Sequence, residues 1–395
     1  MLTGKTPKNC SGFTLLEMII VMAVFTVVII IAGKSFDLVV RQANIVSKSE
    51  ESNIEGMIGL EIFRRDLIQA GFGLFTDVSN PLLTYTEASS LPGKAYNDEV
   101  TYLPRAVVAG NNVSATGVLA NSDYLALKGT SQGDPRNKVS QKWSYIDGVS
   151  STMPKVWGGG VDFNLNDNMI VVRQVYRSGV ITRTLINDPS SATPFSTTYN
   201  TAAMVAPYIP PAGAVQYYYY GISADDVPKR PFNRSDYYVK LVGTELPTSC
   251  SPATGVLTKA SLNPASGVYT YFPILDCVAD MQIVFGWNTS GITSNVDYYT
   301  SPDSTQFSGS TTPAFPVDMN DPAYIRQHLK LIKVYILAQD GTFDKNFTNT
   351  STGFVVGDVD MGEAALTRTV DLTAASMKNY RWKLYKLVVR PNNLN

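Results

Sequence analysis

Histidine is nearly missing: His328 stands alone in 395 residues. A multi-histidine metal site and a repeated histidine base are therefore excluded, and the single ring is read as structural or surface. Net charge is nearly missing too, with 32 Lys and Arg against 33 Asp and Glu, so no general field would draw in nucleic acid or an anionic surface. Charged residues make up 16% of the chain, below the roughly 25% of ordinary soluble domains. With Ser, Thr, Asn, Gly and Tyr plentiful, that balance suits an exported surface better than cytosol. No H-E-x-x-H, Walker loop or G-x-S-x-G with a plausible triad occurs, so an enzyme is not expected. Gly158-Gly159-Gly160 lacks the following Lys-Ser/Thr of a phosphate loop and reads as a turn. Internal repeats are absent, although the length would accommodate two or three ordinary domains.

Only three cysteines occur, Cys10, Cys250 and Cys277. Removal of the N-terminus would leave an even pair in a compartment able to oxidise it. A Cys250–Cys277 bond would stabilise the fold by roughly 3 to 4 kcal/mol on the chain-entropy model; two buried free thiols are the alternative.

What the sequence does have is a run of 20 residues from Phe13 to Ala32 that is apolar except for Glu17. At 1.5 Å per residue it spans about 30 Å, the hydrocarbon thickness of a bilayer. Lys5 and Lys8, with no acid before the run, would hold residues 1–12 in the cytoplasm and send the C-terminal bulk outward. A conventional secretory signal places its small residues after the apolar stretch. Here Gly12 precedes it; Ala32-Gly33 is the conventional alternative, opposed by Glu17 and by the helix-like continuation beyond.

An acid in such a run costs about 2.5 to 3.5 kcal/mol at mid-bilayer. If cleavage falls between Gly12 and Phe13, the new α-amino group of a neighbouring subunit could pair with Glu17 on assembly. The alternative is a carboxylate that snorkels to the near interface.

The string Gly12-Phe13-Thr14-Leu15-Leu16-Glu17-Met18 resembles the class III leader junction of type IV prepilins and type II secretion pseudopilins. In that family a membrane peptidase cuts after the glycine and N-methylates the exposed phenylalanine, and the fifth mature residue is glutamate. The resemblance thus implies processing at Gly12 and Phe13 and subunit assembly through Glu17. It divides the chain into a leader at 1–12, a transmembrane half-helix at 13–32, a periplasmic half at 33–70 and a β-rich head at 71–395. The family's frequent proline near mature position 22 is absent, with Lys34 in its place, leaving Gly33 as the weak spot of the helix.

From Phe36 to Gln69 there is no proline, and helical spacing sets Ile54, Ile58 and Ile62 on one line and Leu60, Phe63 and Leu67 on another. One helix of about 55 residues is predicted, ending at Gly71 and Gly73. Gly56 and Gly59 argue against a rigid rod there. The stretch Glu61–Phe72 resembles the helix end of the minor pilins called PilW and of J-type pseudopilins, although an Arg-Arg-Asp-Leu run by itself reads as a solvated face with local ion pairs.

From Pro81 onward, short Val, Ile, Tyr and Phe runs broken by Gly, Pro, Asn and Ser predict strands at 124–127, 169–176, 180–186, 215–220, 281–287, 331–338 and 382–389. Polar loops are predicted at 111–122 and 288–316. Leu275–Gly286, Ile332–Leu337 and Tyr380–Arg390 are similar to successive strands of PilW-like proteins. About 200 residues between the resembling ends match nothing distinctive.

Two further clusters have two readings each. Asp162–Asn168 and Asp358, Asp360, Glu363 are oxygen-rich enough for calcium, but Ile170 and Arg173 stand where EF-hand ligands belong, and solvated turns are the alternative. Tyr217–Tyr220 reads as an adhesive patch or as a half-buried strand.

The fold expected is α+β: a long N-terminal helix packed at its second half on an antiparallel sheet with long loops. The resemblance implies a non-enzymatic, low-copy minor pilin acting in assembly at or near the tip of a type IV pilus, because so large a head would be hard to repeat along a fibre. Its partners would be other minor and major pilins, prepilin peptidase and the inner-membrane assembly platform, without cofactor. It would begin as a single-pass inner-membrane protein and end in the pilus at the cell surface. The alternatives are a type II secretion pseudopilin and a pilus-mounted adhesin or binding module for cell adhesion.

Overall fold

The structure, a computed structural model, describes residues 14–80, 84–98, 103–148, 152–177, 180–211, 213, 215–224, 227–304, 317–359 and 366–394. It divides into two compact units, Met1–Glu51 and Ser52–Asn395. Helix α1 runs from Leu15 to Gln69, 55 residues. In the first unit Leu15–Asp37 is 23 residues long, has mean hydropathy 2.9 and buries nothing; at about 35 Å it is long enough to cross a membrane.

In the second unit the two lines of apolar residues separate over the described side chains, among which Ile54 is not included. Leu60, Phe63 and Leu67 are buried, whereas Ile58 is 63% and Ile62 39% exposed. Phe63 stacks on Tyr237 with ring centroids 4.0 Å apart, and each such buried side chain contributes roughly 1.5 to 3 kcal/mol. The helix stops where Gly71 takes φ +81°, the left-handed conformation that glycine adopts without strain. Gly56 and Gly59 are points of close approach rather than flexible points. A Cβ on Gly59 would strike the Ile274 carbonyl, and one on Gly56 would lie 3.0 Å from Leu275 Cδ1.

The sheet under the helix has eight strands. In spatial order these are β16 (Arg381–Val389), β13 (Leu329–Asp340), β11 (Tyr269–Trp287), β10 (Gly255–Leu262), β9 (Asn233–Lys240), β3 (Ser122–Gly129) and β2 (Val107–Val113), with β12 (Tyr298–Thr300) paired to β11. Every pairing is antiparallel. A short helix, α2 (Pro322–His328), leads into β13; Asp321 caps it by accepting from the Ala323 N–H, and Pro322 fills the first turn.

A second, six-stranded sheet orders β1 (Asp77–Val78), β6 (Val180–Ile186), β5 (Asn168–Arg177), β8 (Gln216–Ser223) and β4 (Trp143–Ile146), with β7 (Thr197–Thr198) on β5. Only β1 pairs parallel. Its Ile170, Val172, Leu185 and Ile222 join Phe63, Leu67 and Phe285 in one core. The hairpin β14 (Gly353–Gly357) and β15 (Thr367–Asp371) covers part of the opposite face of the main sheet, where Val356 and Val370 pack on Tyr335 and Leu337.

That opposite face also carries a buried charge network. Glu87 accepts from Lys128 Nζ (2.8 Å) and Arg234 Nη1 (2.6 Å), Asp98 from Lys128 (2.5 Å) and Arg105 Nε (2.5 Å), and Asp236 from Arg234. The Tyr124 and Tyr269 hydroxyls donate to Asp236 as well. Charges so deep are tolerated only when paired.

Candidate functional site

The first turn of α1 is where sequence and geometry meet. Thr14 precedes the helix, its N–H and Oγ1 donate to Glu17 Oε2 at 2.9 and 3.0 Å, and its Oγ1 accepts from the Glu17 N–H at 3.3 Å. This is a capping box, Ser/Thr-x-x-Glu, which satisfies N–H groups that a helix start leaves unpaired and sets an anion at the positive end of the helix dipole. From the residues alone Glu17 reads as an acid awaiting another subunit or snorkelling to the interface; the three-residue spacing to Thr14 is the signal for the cap. Within its own chain Glu17 is already partnered through one oxygen. Gly12 and Phe13 lie outside the described residues, as does Cys10. From Leu15 to Ile31 the large apolar side chains are all exposed.

The Arg-Arg-Asp-Leu run is not a solvated face throughout. Arg64 pairs with Glu61 in solvent, but Asp66 is buried, accepting from Lys259 Nζ and from the Tyr237 hydroxyl, both at 2.6 Å. Asp66 thus fastens the helix end to β9 and β10.

Cys250 and Cys277 are joined by a disulfide with Cα atoms 5.0 Å apart and 27 residues of sequence separation. Cys277 has φ +54° at a register shift in β11, a conformation that costs a non-glycine residue energy. Replacing both cysteines by serine is expected to remove about 3 to 4 kcal/mol of stability. Thermal melts of parent and double variant, each with and without reductant, check this: reductant should move only the parent.

The remaining candidates divide. Asp358 is fully buried and both its oxygens are engaged, by Lys333 Nζ (2.6 Å) and the Tyr335 hydroxyl (2.9 Å), while Asp360 and Glu363 lie outside the described residues. Asp162 accepts from the Trp157 and Gly158 N–H groups and Asp167 from Lys142. Among the described residues no group of three His, Cys, Asp or Glu could hold a metal ion. His328 is buried, stacked on Tyr324 with centroids 4.2 Å apart. In the tyrosine string Tyr217 and Tyr219 face a core of their own with Met169 and Val171, while Tyr218 lies near Tyr145.

Asp280 and Asp123 are buried carboxylates that no sequence motif marks. Burial pushes the Asp280 carboxyl up to about 6 despite Arg368 at 2.8 Å. It likewise raises Asp123 well above the usual carboxylate range, although the Asn112 and Ile283 N–H groups donate to it. The folded state therefore keeps a proton on Asp280 that the unfolded chain, near 3.9, releases, so this contribution is present at low pH and lost as pH rises through about 6. Asp280→Asn should reduce the stability difference between pH 5 and pH 7.5 by about 1 kcal/mol. Urea midpoints at the two pH values measure it, and a slope equal to the parent's refutes it.

Residues 7–33 match the family model described as the prokaryotic N-terminal methylation motif. No curated protein and no solved structure matches the chain. The motif implies processing by prepilin peptidase and assembly with other pilins, and with one apolar N-terminal helix it fits a membrane-anchored pilin later found in the pilus. Together they indicate a type IV pilin-like or pseudopilin protein.

Proposed function

We propose that this chain is a PilW-type minor pilin, processed at Gly12-Phe13 and taking part in starting the filament at or near its tip. The observation that carries this reading is the coincidence of the motif with a 55-residue helix whose exposed apolar span begins at the Thr14–Glu17 cap. The strands that resemble those of PilW-like proteins support it: β11, β13 and β16 are neighbours in the main sheet. The second sheet, by contrast, is built wholly from residues 77–223, inside the unmatched part of the chain. A head carrying that extra sheet suits a low-copy position.

In this reading the capping box holds Glu17 until assembly, and Phe13's freed α-amino group in a neighbouring subunit then competes with Thr14 for the carboxylate. Charge favours the amine, because ion-assisted hydrogen bonds are about twice as strong as neutral ones. Intact-mass analysis should find a mature chain starting at methylated Phe13. Glu17→Ala should leave the protein in the membrane yet reduce filament number, counted by electron microscopy. Retention of residues 1–12 would overturn the proposal, and loss of protein secretion with pili intact would assign the chain to a secretion pseudopilus instead.

A further inference from the structure

Between the two sheets of the head lies a cleft of about 510 Å³, within the range that accommodates a small polar ligand. Its wall is built from the β3–β4 and β4–β5 connections, the end of β8 and the facing ends of β9 and β10. The wall is stitched in place. Asn137 Nδ2 donates to the Ile222 carbonyl at 2.6 Å, Asn233 Nδ2 to those of Thr130 (2.8 Å) and Ile222 (3.2 Å), and Arg136 is tied to Asp134.

The chemistry of the lining is selective. Asp134, Arg136, Lys138, Lys142 and Asp167 all line the cleft. Four of these form two ion pairs, Arg136–Asp134 at 2.6 Å and Lys142–Asp167 at 2.8 Å. Lys138 forms no ion pair among the described residues, so the cleft offers one uncompensated cation. Ser261 also lines it; the residue is only 2% exposed, and its buried Oγ has no hydrogen-bond partner. A buried hydroxyl without a partner loses hydrogen-bond energy that a ligand hydroxyl could restore. Ser223, Thr270 and Asn164 add further neutral polar groups.

Other occupants fit less well. A phosphate or nucleotide wants several unpaired cations or a stacking ring, and the lining has neither. Divalent cations need clustered free oxygens, but both carboxylates are already paired. An apolar ligand would leave the buried Lys142–Asp167 pair unsolvated.

We propose that this cleft binds a carboxylated sugar, the carboxylate on Lys138 and a ring hydroxyl on Ser261. The site does not depend on the assembly reading above and stands or falls in solution. Isothermal titration of the full mature chain in detergent micelles, against galacturonic acid, N-acetylneuraminic acid, galactose and inorganic phosphate, tests it. At least one acidic sugar should bind, with Kd near 1 mM or tighter and galactose about tenfold weaker, the loss of one charge-assisted contact. Lys138→Ala, on an exposed side chain, should abolish the preference for the acid without moving the melting temperature. Ser261→Ala should weaken acid and neutral sugar alike by about fivefold, one hydrogen bond. No binding of either acid, phosphate binding as tight as the better acid, or an acid preference unchanged in Lys138→Ala would each overturn the proposal.

Discussion

Glu87→Ala is expected to lower the melting temperature of the head by roughly 5 to 10 °C, the loss of about 3 to 5 kcal/mol. Glu87 touches two cations at once, Lys128 and Arg234, and the three side chains are 0 to 1% exposed. Its Oε1 also accepts from the Asp98 N–H at 2.9 Å. After truncation Lys128 keeps Asp98 and Arg234 keeps Asp236, so neither cation is wholly abandoned. The network nonetheless loses a charge that no water can replace, and an unbalanced buried cation is dearer than a missing pair. Glu87→Gln, which keeps the shape and one acceptor, should fall between. Differential scanning calorimetry on the purified chain decides the matter: a shift under about 2 °C for the alanine variant means that the pairings contribute little.

Asp66→Ala should cost a similar 3 to 5 kcal/mol, by a different route. Here the loss falls on one connection between α1 and the main sheet, because Lys259 is 3% exposed and, among the described residues, forms its close ion pair with Asp66. Burial and the nearby Asp66 charge hold the Tyr237 hydroxyl in its neutral form, so it too loses its acceptor. Trypsin or chymotrypsin should then cut within residues 52–69 sooner than in the parent. Asp66→Leu combined with Lys259→Met removes both charges and should recover most of the stability, since a buried pair replaced by apolar groups is often neutral or better. If the double variant is no more stable than the single one, the buried lysine is not the source of the loss.

Much of this architecture is legible in the residues. Periodicity alone separated Leu60, Phe63 and Leu67 from Ile58 and Ile62, and Gly71 marked the helix exit. The strands recognised were those with apolar runs, such as β6, β13 and β16. Two central strands of the main sheet went unread for one reason. Asn233–Lys240 and Gly255–Leu262 carry Arg234, Asp236 and Lys259 on buried faces, and a pattern that treats charge as a mark of solvent cannot see a charge neutralised by a residue 147 positions away. The same blindness hid Asp66. At the candidate site, Glu17 stood out because membrane cost singles out an acid, while Thr14 did not, because a threonine beside an apolar run carries no cost that draws notice.

The two glycines of α1 that meet β11 act as an index mark. Because Gly59 alone lets the backbone reach the Ile274 carbonyl, with Gly56 one turn earlier beside Leu275, the rod has a single rotational setting on its support. Turning it by one residue, about 100°, would drive a side chain into that carbonyl. Two missing side chains on the inner surface thereby dictate that Met57, Ile58 and Ile62 point outward, and so choose which greasy residues a neighbouring protomer would find.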